Sequence, residues 1–136
     1  MTSIDLRPAE LEILAYAGDT VRLILRTEDD YSAATWRGSI KDTRDVDAVE
    51  RATFSFGTPT LDVPTNRWVQ TAKIDETDTA SMFALVNGGG QPLVSYNGVW
   101  DIEVEFDDPD DPGVETDVLT LLQGTIVIDG DITKAP

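Results

Sequence analysis

Three runs of acidic residues are the chemistry-bearing features of this chain. Asp107-Asp108-Pro109-Asp110-Asp111 supplies enough carboxylate oxygens to suggest calcium, a hard cation that takes six to eight oxygen ligands. The spacing departs from the twelve-residue helix-loop-helix calcium loop, with no glycine at its sixth position and no glutamate at its last. Prolines and aspartates are also what tight turns use, so the run reads as a solvated loop, with Asp107, Asp108, Asp110 and Asp111 kept as the calcium alternative. Asp75-Glu76-Thr77-Asp78 reads in the same way as the start of a helix. Asp101, Glu103 and Glu105 could serve as paired acid and base in glycoside hydrolysis. Their alternation places them on one strand face, however, and a wet face is the plainer reading.

Other catalytic chemistries lack their residues. The chain has no histidine and no cysteine, which removes Ser-His-Asp and Cys-His nucleophile systems, thiolate metal sites and disulfides together. The three lysines, Lys41, Lys73 and Lys134, stand in no Ser-x-x-Lys context. Gly88-Gly89-Gly90 precedes no helix and carries no Lys-Ser/Thr pair, so it reads as a helix stop and not as a phosphate cradle. Trp36, Trp68 and Trp100 could line a sugar platform, but each sits in an alternating pattern that points to core packing. The expectation is a non-enzymatic protein with no cofactor.

The elements that must carry these residues are strands. Val21, Leu23 and Leu25 alternate with Arg22 and Arg26, and only Ile24 breaks the period. Gly18-Asp19 before them predicts a hairpin joining residues 11–17 to this strand. Trp36, Gly38 and Ile40 share one face, Phe54 and Phe56 another, and Trp68, Gln70, Ala72 and Ile74 a third. Asn97-Gly98 predicts a type I′ turn between residues 93–96 and 99–106. In the return strand Trp100, Ile102, Val104 and Phe106 face the core while Asp101, Glu103 and Glu105 face water, with Arg22 and Arg26 as candidate opposing cations. Residues 118–132 read as one long bent strand with a bulge at Gly124. One short helix is expected over 78–86, capped by Thr77 or Asp78. Seven to nine short strands with one helix make an all-β protein, a single antiparallel β-sandwich.

Length and charge bound the rest. The 136 residues suit one domain with a real core: residues 11–136 as the sandwich and 1–10 as an extended arm, with Leu6, Arg7 and Pro8 able to add to a neighbour's sheet. Twenty-six acidic against ten basic residues give a formal net charge of −16. That field repels nucleic-acid phosphates and anionic membranes. No apolar run is long enough to span a bilayer, and the first residues lack the pattern of a signal peptide.

The closing pattern Leu121-x-x-Gly124-x-Ile126-x-Ile128-x-x-Asp131-Ile132-Thr133 resembles the end of small immunoglobulin-like β-sandwich domains in tail and baseplate proteins of tailed, siphovirus-type phages. The opening Gly18-Asp19-Thr20-Val21-Arg22-Leu23-Ile24-Leu25 and the central Tyr96-Asn97-Gly98-Val99-Trp100-Asp101-Ile102-Glu103-Val104 extend the likeness. The resemblance implies a structural virion protein of the tail, baseplate or fibre-attachment region. Such a protein is made in the host cytoplasm, docks on other virion proteins and is repeated by the particle's symmetry. A capsid-surface decoration protein and a carbohydrate- or receptor-binding module are the alternatives.

Overall fold

The computed structural model describes residues 9–87, 93–107 and 116–130, without the side chains of residues 107, 116 and 117. Among the described residues, ten strands form two packed sheets, accompanied by one helix. The larger sheet contains β1 (Ala9–Glu10), β2 (Ile13–Tyr16), β4 (Thr35–Lys41), β5 (Glu50–Thr53), β9 (Tyr96–Asp107) and β10 (Thr116–Asp129). Its order is β1-β10-β9-β4-β5, with β2 also on β10. The smaller sheet contains β3 (Val21–Thr27), β6 (Ser55–Phe56), β7 (Thr60–Asp62) and β8 (Arg67–Ile74), in the order β3-β8-β6, with β7 also on β8. The chain changes sheet between β2 and β3, between β3 and β4, between β5 and β6, and between β8 and β9. This is the interleaving of a Greek-key sandwich.

Alternation predicts the faces well. The inner layer is built from Leu25, Ile40, Ala72, Ile74, Trp100, Ile102, Ile126 and Ile128, all buried. Ile24, which breaks the period, points to solvent at 60% exposure, so the strand alternates strictly and spends an apolar side chain on its outer face.

The connections differ from expectation in several places. Gly18-Asp19 does not join paired strands: β2 lies parallel to β10 in the larger sheet, with Ile126 opposite Ile13, while β3 belongs to the other sheet. Gly18, at φ 88°, turns the chain across the edge of the sandwich. Asn97-Gly98 is not a turn either, since β9 runs unbroken through both residues, paired with Val127 and Ile126. Gly98 is needed for space: a Cβ there would lie 2.7 Å from the Tyr96 hydroxyl and 2.8 Å from the Lys41 carbonyl. Phe54 lies between β5 and β6, where the chain crosses from the larger sheet to the smaller; its amide bonds the Gly38 carbonyl at 3.0 Å, and Phe56 is in the smaller sheet.

The irregularity in β10 falls between Thr120 and Leu122, not at Gly124. Gly124 serves the N-terminal segment, whose Leu11 carbonyl comes within 1.8 Å of where a Cβ would stand. The same carbonyl accepts the Trp100 indole N–H at 3.1 Å.

The helix, α1 (Glu76–Val86), starts earlier than expected, with Asp75 as N-cap in extended conformation and no side-chain cap bond. Glu76 and Asp78 place negative charge in the first turn, where the helix dipole favours it. Met82 and Thr79 are its buried residues. The Thr79 hydroxyl accepts the Gly18 amide at 3.0 Å and lies 2.8 Å from the Asp19 carbonyl, fastening the helix to the β2–β3 crossing. No helix among the described residues is long and apolar enough to cross a membrane.

Candidate functional site

Charge is sorted between the two outer surfaces. On the outer face of the smaller sheet, Arg22 and Arg26 of β3 stand beside Lys73 and Arg67 of β8, with Asp62 of β7 the acidic member. Arg22 and Lys73 are directly opposite each other, an arrangement that costs stability in a sheet. Arg22, Arg26 and Lys73 make no ion pair among the described residues, and Arg67 reaches Glu28 only at 3.9 Å. Sequence patterning places Arg22 and Arg26 on a wet face but misses the pairing of β3 with β8 that gathers the cations.

The larger sheet presents the opposite sign. Asp101, Glu103 and Glu105 line the outer face of β9 as expected, joined by Glu50, Glu10 and Asp129 from β5, β1 and β10. The cations on this face are Arg37 and Lys41 of β4, the latter opposite Glu50, and not Arg22 or Arg26, which lie on the other sheet. The Arg37 guanidinium is 3.3 Å from Glu103 and also pairs with Glu105. Arg37 stands directly across from Glu103 in the β4–β9 register. Two half-buried carboxylates sharing one guanidinium, with Asp101 beside them on the same strand face, suit a charged docking face. An acid-base pair in a cleft would need them in distinct environments.

Between the sheets, one side of the sandwich is open. β3 pairs only with β8, so its other edge carries unpaired backbone groups among the described residues. Beside it runs a groove of about 610 Å3, lined by Leu11, Leu23, Ile24, Tyr31, Leu121 and Leu122, with Arg22, Arg26, Glu28 and Asp29 also in its walls. Leu11 is 46% exposed there. The edge contains no proline, one of the usual means of discouraging strand addition, and its charged side chains are Arg22 and Arg26.

A polar knot closes the far end. Arg51 grips both oxygens of Asp42 at 2.8 to 3.1 Å, and the Tyr96 hydroxyl donates to Asp42 at 2.8 Å. The Arg51 hydrogen bonds hold the Asp42 carboxyl below the usual carboxylate range, aided by Tyr96. Burial, then the Asp42 hydrogen bond, pushes the Tyr96 phenol well above its ordinary value. The arrangement has the character of a clasp, in which the charges of Arg51 and Asp42 match each other.

The tryptophans form no shared exposed platform. Trp100 is buried, and Trp36 packs edge-on to Tyr31 at 6.2 Å and against Phe56 at 5.8 Å. Trp68 is half-buried on the inner face of β8. Of the calcium candidates, Asp107 ends β9 with its side chain undescribed, and Asp108, Asp110 and Asp111 lie outside the described residues, as do Leu6, Arg7, Pro8 and the three glycines 88–90. Among the described residues no three histidine, cysteine or acidic side chains are grouped to hold a metal ion.

Strand order and sheet pairing define this chain as an immunoglobulin-like β-sandwich, in which β9 and β10 form the centre of the larger sheet and the N-terminal strand lies along β10. No protein-family model and no curated protein sequence matches the chain. Among solved structures, that of the NK cell receptor NKp44, a triggering partner in natural cytotoxicity, is similar at 9% identity and a TM-score of 0.35. The match covers 90% of this chain and 99% of that one.

Proposed function

We propose that the protein is a non-enzymatic structural component that acts by protein-protein contact in the tail, baseplate or fibre-attachment region of a tailed-virus particle. The observation that carries the contact reading is the open β3 edge beside the groove. An incoming extended segment would find a row of backbone donors and acceptors there, with Leu11, Leu23 and Leu122 ready to receive every second side chain. The particle setting rests on the closing pattern of β10 and its likeness to tail and baseplate domains.

Cryo-electron microscopy of purified particles from the source virus tests the proposal. Density for this fold ringed at the tail or its tip is the expected outcome. Density over the head lattice would make it a decoration protein, and absence from particles would end the virion reading.

A further inference from the structure

We propose that copies of this chain stack head to tail, the cationic outer face of the smaller sheet of one copy docking on the acidic outer face of the larger sheet of the next. The inference rests on reading the protein as an assembly module and names the partner of one of its surfaces: a second copy. The starting observation is a destabilising one. Arg22 and Lys73 face each other across β3 and β8 with Arg26 nearby and no ion pair for any of the three among the described residues. A protein with net charge −16 has carboxylates to spare, yet among the described residues none pairs with Arg22, Arg26 or Lys73. Across the sandwich, Asp101 makes no ion pair among the described residues either, while Arg37 pairs with both Glu103 and Glu105.

The two faces also match in geometry. Arg22 and Arg26 are four residues apart on one strand, as are Asp101 and Glu105 on another, a separation of roughly 13–14 Å in each case. Both faces are sheets with the same spacing between strands, so rows of charge can lie in register. Because the two surfaces differ, the contact is heterologous: each added copy presents a fresh face, and the stack closes as a ring or continues as a filament. Net charge sets the ionic conditions. At 0.15 M salt, screening acts over about 8 Å, which suppresses repulsion between the acidic bodies more than attraction between facing side chains. Association is therefore strongest near that salt concentration and weaker at both 10 mM and 1 M.

Sedimentation velocity on the full chain and on two charge-neutralised variants tests this. Arg22→Gln/Lys73→Gln removes the cationic face, and Asp101→Asn/Glu103→Gln removes the acidic one; circular dichroism checks that each folds. Wild type is expected to form oligomers in 0.15 M salt, and each variant alone to associate at least tenfold more weakly. Mixed, the two variants retain one complementary pair of faces and should form a one-to-one dimer that grows no further. A wild type that stays monomeric at millimolar concentration across the salt range would overturn the proposal. So would variants that associate as well as wild type, or a folded pair that fails to dimerise on mixing. Particle imaging is independent of these results, so a monomer found in the tail would sink the stacking while leaving the tail assignment standing.

Discussion

At the scale of single residues, Gln70 is the least comfortable side chain. It is buried at 2% exposure among Leu25, Ala72 and Ile74, its carbonyl accepts the Thr71 amide at 2.9 Å, and its amide nitrogen has no partner. A buried donor left unpaired costs about 1–3 kcal/mol. Gln70→Leu is therefore expected to raise stability by about 1 kcal/mol after loss of the Thr71 bond, seen as a higher midpoint in urea denaturation; a lower midpoint would mean that the amide is satisfied in solution. The Tyr96 clasp makes a pH prediction. The folded phenol titrates above its unfolded value of about 10, so its contribution is complete below pH 10 and is lost as pH rises toward the folded pKa. The stability difference between wild type and Tyr96→Phe should therefore shrink above pH 10, measured by denaturation at a series of pH values. Neither residue was fully legible beforehand: alternation places Gln70 inside, but the partner of Tyr96 comes from Asp42, 54 positions away.

At the scale of elements, faces could be read from the sequence and connections could not. Period-two patterning follows from strand geometry, so inner and outer residues of β3, β4, β8 and β9 came out as expected. Glycine was the misleading signal, because a turn and a close approach use the same residue. Gly98 and Gly124 are both strand residues that leave room for another part of the chain, and that neighbour is invisible in a local window. Gly124→Ala should accordingly push Leu11 away from β10, costing about 2–4 kcal/mol and removing amide hydrogen-exchange protection at Leu11 and Ile13. Retained protection at both amides would show that the segment can shift without detaching. The candidate docking faces depend on which strand neighbours which, and for that reason the acidic row was found but its partner Arg37 was not.

At the scale of the whole molecule, net charge opposes compactness. With −16 spread over a small sandwich, self-repulsion destabilises the folded state, and screening relieves it. The melting temperature at low protein concentration, where copies do not associate, should rise by several degrees between 10 mM and 0.5 M sodium chloride; a fall would mean that the Arg37 and Arg51 pairs outweigh the repulsion. Topology has a consequence in time as well. Ala9 lies beside Leu122 and Ile13 beside Ile126, so the first described strands are held by the last. Pairings this distant in sequence are slow to form. During synthesis β2 must wait on the ribosome for β10, with Leu14 and its neighbours uncommitted until nearly the whole described chain has emerged, so the larger sheet is finished in a single late step and not strand by strand.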